Sequence, residues 1–223
     1  MNRKTTQHLI PIKKENDAQD SYSIYPSFNI SKEKIYLGYN TLAKNLVNQK
    51  TILLDGYIGV DWNEVQHELC SALQNEDLRV NAININKCLK PENEIKQLVT
   101  PFLGGDDPIF GCKTDLMLSD YFDEHKISNI KLDPNADINI IYGTGASQSN
   151  VEGVLVYFDL PKNELQFRMR ANAITNLGFS SVKNHKQMYK HFYFVDWEVL
   201  NREKKRLLPH ISIVVDQQRP NYP

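Results

Sequence analysis

The sequence predicts an α/β fold, a three-layer arrangement in which a mostly parallel sheet carries helices on both faces. Apolar runs of strand length alternate with helical patterns of about 10 to 15 residues, as right-handed crossovers between parallel strands require. At 223 residues and 41% hydrophobic content, the chain can build one sizeable core. Its net charge of −1 provides no basic field, so no nucleic-acid or membrane partner is predicted.

The helices and strands are predicted from hydrophobic periodicity and from the turn residues between them. In chain order the predicted elements are helix 38–48, strand 51–54, a helix capped at 61, strand 79–85, helix 91–99, a short helix or irregular element over 115–122, strand 138–142, strand 154–159, helix 161–176, strand 191–197, helix 198–208 and strand 211–215. Between them, residues 101–108 form the strongest loop signal. The acids in it are interpreted as turn residues, with metal binding or substrate orientation as the alternative.

We predict three parts in the chain. Residues 1–20 are charged and aperiodic, which indicates a flexible leader or a surface arm, and Tyr22, Tyr25 and Phe28 indicate an extended segment that docks on the body. Residues 21–216 are predicted to be a single α/β domain. The polar, proline-bearing residues 217–223 have the composition of a linker.

Residues 51–63 have the layout of a phosphate-binding strand, loop and helix, but not its chemistry. A working loop has the pattern G-x-x-x-x-G-K-[ST], in which backbone N–H groups and the lysine bind phosphates and the hydroxyl binds Mg²⁺. Gly56 takes the first glycine position, whereas Asp61, Trp62 and Asn63 stand in place of the last glycine, the lysine and the hydroxyl residue. A carboxylate there repels an anion, so we predict a degenerate loop.

Asp61 has a structural interpretation. Residues Asp61 to Glu64 have the D-x-x-E pattern of a capping box, and Val65, Leu69 and Leu73 then continue at the spacing of an amphipathic helix. We therefore predict that Asp61 caps this helix. A catalytic or metal-binding role for its carboxylate is the alternative.

No metal or cofactor is predicted for this chain. Cys70, Cys88 and Cys112 are widely spaced without a C-x-x-C pair, which favours free thiols in a reducing, cytoplasmic compartment over disulfides or zinc. The six histidines are scattered, and no run is long enough to span a bilayer.

A candidate anion cleft is predicted at the strand ends. The turn over 143–147 follows a strand directly, and open α/β sheets bind ligands at that edge. Main-chain N–H groups of both glycine-containing loops could face an anion there, with an arginine from the helix over 161–176. The candidate ligand-binding residues are Gly56, Tyr57, Ile58, Gly59, Val60, Gly143, Thr144, Gly145, Arg168 and Arg170.

The order of these pieces resembles the uridine kinase-like branch of the P-loop phosphotransferases. The resemblance covers about residues 51–216. It rests on the Gly56 loop, the turn at Tyr142-Gly143, and the run from Val156 to Pro161 that leads into an arginine-bearing helix. It implies a P-loop nucleoside-kinase-like fold, although the family's lysine and hydroxyl residue fall on Trp62 and Asn63.

More closely, the chain resembles a domain at the N-terminus of long bacterial class I mannose-6-phosphate isomerases, which precedes their zinc-dependent cupin region. The matching stretches are residues 35–39, 54–60, 101–103, 106–111, 142–146 and 194–197. The resemblance implies that an isomerase domain follows covalently and that zinc belongs to that region only. The cupin's His, Glu and Gln ligands have no counterpart in this chain.

Three functions are consistent with these observations. The first is a non-catalytic, kinase-like accessory or regulatory domain associated with mannose-6-phosphate isomerase and carbohydrate metabolism, with a nucleotide or sugar phosphate as the possible ligand. The second is a nucleoside or sugar phosphotransferase in which Asp55, Asp61 or Asp159 acts as base or magnesium ligand. The third is a structural or oligomerisation module with the aromatic run over 191–197 as its contact surface.

Overall fold

A computed structural model describes residues 3–5, 34–107 and 109–219. The strands are β1 (Thr51–Gly56), β2 (Val80–Asn84), β3 (Ile138–Tyr142), β4 (Val154–Asp159) and β5 (Ile211–Asp216). The α-helices are α1 (Tyr39–Leu46), α2 (Trp62–Gln74), α3 (Glu92–Val99), α4 (Glu124–Ser128), α5 (Lys162–Arg170), α6 (His185–His191) and α7 (Trp197–Leu207). Short 3₁₀ turns include Ile85–Cys88, Leu118–Tyr121 and Ala146–Ser149.

The five strands form one sheet in the order β2-β3-β1-β4-β5, and every pairing in it is parallel. From β1 the chain moves to β2 in one direction, and from β2 to β5 it moves in the other. Right-handed crossovers therefore put α2 on one face of the sheet and the later helices on the opposite face. Because α1 packs on α2 and α5 packs on α6, the predicted three-layer α/β class is confirmed.

The central strand and the helix after it form the middle of the core. Ile52 and Leu54 of β1 are fully buried, and so are Val65, Leu69 and Leu73 of α2, the apolar face that the sequence predicts. Burying a side chain of this size stabilises the fold by roughly 1.5–3 kcal/mol. The carboxyl end of β1 is consequently held in a fixed place.

The predicted strand over 191–197 is wrong. This run is helical throughout, as the end of α6, a π-helical turn over Phe192–Asp196 and the start of α7. Aromatic and β-branched residues are typical of strands, but the buried members Phe192, Val195 and Val199 recur every three or four residues, which is helical spacing. Periodicity therefore outweighs composition here.

The predicted helix over 161–176 is too long, because α5 ends at Arg170. Asn172 adopts a left-handed conformation with φ of 58°, and its N–H donates to the Met169 carbonyl oxygen. This geometry closes a helix at its C-terminus, and asparagine tolerates it better than most residues. Residues 171–184 therefore lie outside the helix and cross the carboxyl edge of the sheet.

The other predicted helices and strands of the described ranges are found within a few residues of their expected bounds. The leader over 1–20 lies outside these ranges except for residues 3–5, as do Tyr22, Tyr25, Phe28 and residues 220–223. The division into leader, domain and tail thus stays a prediction. None of the helices in the described ranges combines the length and apolarity that a membrane span needs.

Gly56 provides a test of the central packing. A methyl group there would lie 2.4 Å from the carbonyl oxygen of Phe158 in β4, whereas one on Gly105, with φ of 56°, meets nothing within 4 Å. We expect Gly56→Ala to lower the free energy of unfolding by about 3 kcal/mol because of overpacking against backbone. Gly105→Ala should lower it by about 1 kcal/mol through backbone strain alone. Equal losses in urea unfolding would contradict this packing.

Candidate functional site

The turn after β3 is bound by a carboxylate of the protein itself. Asp55 is 2% exposed. Its Oδ1 accepts the N–H of Gly145 at 2.8 Å and that of Gly56 at 2.7 Å, while its Oδ2 accepts the N–H of Ser147 at 2.8 Å. Burial raises the pKa of the Asp55 carboxyl, and the hydrogen bonds from Ser147, Gly145 and Gly56 oppose that shift. An internal anion thus occupies the amides of this turn.

Two more of the predicted anion-binding amides belong to the sheet. The N–H of Tyr57 donates to the Phe158 carbonyl oxygen at 2.9 Å, and the N–H of Gly143 donates to the Leu54 carbonyl oxygen at 3.1 Å. The first bond extends the pairing of β1 with β4, and the second extends the pairing of β1 with β3. The predicted cradle of N–H groups is therefore directed into the protein at these positions.

Two residues differ in role from those of a phosphate-binding loop. Trp62, in the lysine position, is a neutral packed side chain, and Asp61, in the position of the last glycine, caps a helix. The indole Nε1–H of Trp62 donates to Thr144 Oγ1 at 3.1 Å, and its ring meets the Phe158 ring edge-on at 5.7 Å. Asp61 Oδ1 accepts the N–H of Glu64 at 3.1 Å, so the predicted helix cap is confirmed. Trp62 thereby links the loop after β1 to the turn after β3.

Arg168 is the largest fully buried side chain and is bound by the protein on every side. Its Nε donates to Glu164 Oε1 at 3.1 Å. Nη1 donates to the Gly59 carbonyl oxygen and Nη2 to the Gln217 carbonyl oxygen, both at 2.7 Å. Glu164 also pairs with Arg3, whose Nε lies 2.9 Å from Oε2. Arg168 therefore supports the loop after β1 from behind, which differs from its predicted role as an anion ligand.

An open cleft of about 700 Å³ lies at the carboxyl edge of the sheet, where ligands bind in open α/β folds. Its walls are the loop over 58–60, Trp62, Thr144 and the segment over 172–180. A neighbouring cavity of about 340 Å³ shares Gly59 and Asn86 with it and includes Arg168. We call the two together the edge cleft.

The structure brings only part of the predicted site together. Ile58, Gly59, Val60 and Thr144 line the larger part of the edge cleft, and Arg168 lines the smaller part. The predicted residues that line neither part are Gly56, Tyr57, Gly143, Gly145 and Arg170. Arg170 is exposed on the other side of α5, as its two-residue spacing from Arg168 predicts, and it lines a separate pocket.

The polar lining of the edge cleft is mostly amide and hydroxyl. These groups are carried by Asn63, Asn84, Asn86, Thr144, Asn172, Thr175, Asn176 and Ser180. Two oppositely charged residues, Lys90 and Glu92, line the larger part, and Glu92 Oε2 accepts from the N–H and hydroxyl of Ser180 at 3.0 and 2.5 Å. The cleft thus has little net charge. Analysis of the sequence missed Asn84 and Asn86, although polar residues at a strand end were the available signal.

The segment over 172–180 is anchored by a buried acid of the π-helical turn. Asp196 Oδ2 accepts the Asn176 Nδ2–H at 2.7 Å and the Leu177 N–H at 3.4 Å, and Oδ1 lies 3.4 Å from His191 Nε2. Burial raises the pKa of Asp196 to about 7, and burial lowers that of His191 to about 3. The wall of the cleft therefore depends on a pair whose charged forms are disfavoured.

The cysteines are free thiols, as predicted, with Cys70 and Cys88 buried and Cys112 exposed. In the part of the chain that the structure describes, no three His, Cys, Asp or Glu side chains are grouped so as to hold a metal ion.

The His191 and Asp196 pair has a testable pH dependence. From an ordinary value of 3.8, the Asp196 pKa is raised, so the folded state binds the extra proton and this group's stabilisation is lost as pH rises towards about 7. The His191 pKa is lowered from 6.5, so its stabilisation is lost as pH falls towards about 3. In the native protein the two dependences oppose each other.

Asp196→Asn should therefore make the free energy of unfolding rise more steeply between about pH 4 and about pH 6.5, because only the His191 dependence remains. Urea unfolding across this range measures the slope. The exposed Asp106→Asn is the control and should leave the native profile unchanged. Parallel profiles for Asp196→Asn and the native chain would contradict the buried pair.

Comparisons with known proteins give a family and two similar folds. Among solved structures, the chain is similar to a protein proposed to be a fructose transport system kinase from Silicibacter sp. TM1040, at 14% identity and a TM-score of 0.48, covering 75% of this chain and 94% of that one. It is also similar to a possible uridine kinase from Bacillus stearothermophilus, at 10% identity and a TM-score of 0.44, covering 80% and 97%.

A search of curated proteins finds no match. None of these matches is to a mannose-6-phosphate isomerase, so that resemblance rests on the quoted sequence stretches. A family model matches residues 38–223, which is most of the chain. The chain therefore belongs to the family described as Domain of unknown function (DUF8485).

Proposed function

We propose that this chain is a non-catalytic ligand-binding domain, in which a neutral, hydroxyl-rich molecule of the nucleoside or sugar class binds in the edge cleft. The observation that carries the proposal is the Asp55 carboxylate on the amides of Gly145 and Ser147. An anionic ligand at that turn would have to displace a buried internal anion. A neutral ligand in the adjoining cleft faces no such competition.

The residues at the loop after β1 support a non-catalytic role. Phosphoryl transfer depends on cations that stabilise the charge of the transferring group. Trp62 stands in the lysine position and donates to Thr144, while the guanidinium of Arg168 is bound to Glu164 and backbone carbonyls. Neither side chain is free to provide that stabilisation.

The lining of the edge cleft supports the class of ligand. Asparagine amides and threonine hydroxyls both donate and accept hydrogen bonds, which suits sugar hydroxyls and the edge of a base. The apolar surface of Ile58, Trp62 and Phe179 suits the face of a ring. About 700 Å³ lies within the usual range for small-molecule sites, roughly 300–1,000 Å³.

A phosphotransferase with a rearranged site is the second candidate, and one observation favours it. Asp61 lines the smaller cavity beside Asn84 and Asn86, a set of oxygen donors that Mg²⁺ accepts. The other two candidate acids, Asp55 and Asp159, line neither part of the edge cleft. Transfer from Mg-ATP to a nucleoside or sugar hydroxyl, abolished by Asp61→Asn, would establish this alternative.

The association with mannose-6-phosphate isomerase is proposed on the sequence resemblance alone. The domain would then act as an accessory unit in carbohydrate metabolism and would follow the location of that enzyme, which we expect to be cytoplasmic. The test is to mix the purified chain with a class I isomerase catalytic region and to measure complex formation and activity. Unchanged activity and no complex would remove this part of the proposal.

The third candidate function, a structural or oligomerisation module, needs an exposed aromatic surface over 191–197, and that surface is smaller than the sequence predicts. Within the aromatic run, Phe192, Val195 and Trp197 are buried, whereas Tyr193 is 43% exposed. Concentration-dependent mass in solution tests it.

The ligand class is tested by calorimetric titration of neutral nucleosides and monosaccharides against their monophosphates, in an Arg170→Ala chain so that phosphate binding at the separate pocket lined by Arg170 does not contribute. We expect at least one neutral compound to bind more tightly than its phosphate, because the lining of the cleft is mostly amide and hydroxyl and its cation Lys90 is accompanied by the acid Glu92. Asn86→Ala should weaken that binding about tenfold, the effect of losing one or two buried hydrogen bonds. The exposed Asn93→Ala on α3 is the matched control. Tighter binding of the phosphates would overturn the proposal.

A further inference from the structure

A second pocket, of about 1050 Å³, lies between α5, α6 and the π-helical turn. We call it the aromatic pocket. It combines the rings of Phe110, Tyr189, Tyr193 and Phe194 with the cations Arg170, Lys186 and Lys190 and the imidazole of His185. It shares no lining residue with the edge cleft, so an inference about it is independent of the proposed function.

The tyrosine rings of the aromatic pocket are supported from behind and open in front. Tyr189 and Tyr193 pack against the buried Trp197, with ring centroids 5.7 and 6.2 Å apart. Tyr193 also meets the Phe194 ring edge-on at 5.0 Å. Tyr189 nevertheless keeps 39% of its surface exposed and Tyr193 keeps 43%. Aromatic surfaces fixed in this way suit the stacking of a flat ring.

The aromatic pocket is positively charged, and only some of its basic side chains have partners among the described residues. None of its lining residues is Asp or Glu. Lys190 Nζ donates to the Asp107 carbonyl oxygen, and His185 Nε2 lies 2.8 Å from Asn172 Oδ1. Within the described ranges, the structure gives Arg170 and Lys186 no ion pair. Two cations therefore remain beside the open rings.

An acid beside the aromatic pocket binds its own loop. Asp107 precedes the loop that carries Phe110, its carbonyl oxygen accepts from Lys190, and its Oδ1 accepts the N–H groups of Ile109 and Phe110 at 2.7 Å each. These bonds lower the pKa of Asp107. Its carboxylate is thus directed to the backbone of that loop.

The geometry points to a binding site for a planar aromatic anion of the mononucleotide type in the aromatic pocket. The base stacks against Tyr189 and Tyr193, and the phosphate binds the guanidinium of Arg170 and the ammonium of Lys186. Arginine recognises phosphate through paired N–H donors, and a cation beside a ring strengthens both contacts. Arg170 thereby binds an anion, as the sequence predicts, but in a pocket separate from the edge cleft.

A small molecule fits this pocket better than a nucleic acid or an acidic peptide does. The volume of about 1050 Å³ is near the upper end of small-molecule sites, roughly 300–1,000 Å³. The chain has a net charge of −1 and therefore no overall basic field that would attract a nucleic acid.

The two tryptophans of the chain separate the two sites in one experiment. Trp62 lines the edge cleft, whereas Trp197 supports the rings of the aromatic pocket. In a Trp62→Phe background, Trp197 fluorescence reports on the aromatic pocket alone. AMP is titrated against this variant. Adenosine and inorganic phosphate, the two parts of AMP, are titrated separately for comparison, and calorimetry confirms each dissociation constant.

We expect saturable binding of AMP that is at least tenfold tighter than that of adenosine or phosphate. Arg170→Ala and Lys186→Ala should each raise the AMP dissociation constant about tenfold or more, because each removes one charge-assisted contact. Lys205→Ala, an exposed cation on α7, is the matched control and should leave the constant unchanged. All three positions are on the surface, and urea unfolding checks that the variants fold.

The inference is overturned by any of four results. These are no binding of AMP at millimolar concentration, binding that Arg170→Ala leaves intact, phosphate alone binding as tightly as AMP, and poly-glutamate competing as well as AMP does. The last result would identify an acidic protein surface as the ligand. Binding at the aromatic pocket is followed through Trp197 and Arg170→Ala, whereas binding at the edge cleft is followed by calorimetry and Asn86→Ala, so failure at one site leaves the other proposal standing.

Discussion

The rest of the site depends on the carboxylate of Asp55, which joins the central strand to the turn after β3. Its oxygens accept N–H groups from Gly56, Gly145 and Ser147 in a buried position. Hydrogen bonds to a charged group stabilise by roughly 1.5–3 kcal/mol each, so this carboxylate is a strong constraint on the turn. This turn presents Thr144 to the indole of Trp62, which joins it to the loop after β1.

An internal ion pair, between Arg168 and Glu164, fixes the loop after β1 in a similar way. The guanidinium of Arg168 binds the Gly59 carbonyl oxygen, and Glu164 neutralises its charge from behind. Both loops that would bind a phosphate in a phosphotransferase are therefore held by side chains of the chain itself. Little net charge remains in the edge cleft, and the free cations Arg170 and Lys186 lie in the aromatic pocket. Both proposals rest on this arrangement, in which the edge cleft has little net charge and the aromatic pocket carries the cations.

Local features of this chain could be predicted from sequence, and long-range partners could not. The Asp61 cap binds an amide three residues away, and the apolar face of α2 follows from its spacing, so both were accessible. Asp55 binds an amide 90 residues away and Arg168 a carbonyl 109 residues away. No pattern in the sequence indicates these pairings. The structure places the predicted anion-site residues at or near the carboxyl edge of the sheet, but half of the candidate amides, those of Gly56, Tyr57, Gly143 and Gly145, and the guanidinium of Arg168 have internal partners.

The error over 191–197 has a different physical origin. Aromatic composition indicated a strand, whereas burial of Phe192 and Val195 required a helix with a π-helical turn. That turn places Asp196 under the segment over 172–180 and sets the tyrosines at the edge of the aromatic pocket. One irregular turn thus contributes to both candidate sites, and π-helical turns are frequent at functional positions.

The most direct measurement is the response of the Gly145 and Ser147 backbone amides to Mg-ATP, followed by ¹H–¹⁵N NMR and hydrogen exchange. If Asp55 occupies these amides, their chemical shifts stay unchanged at millimolar Mg-ATP and their exchange stays slow. A saturable shift of both resonances would contradict the account, because it would mean that a phosphate displaces the internal carboxylate.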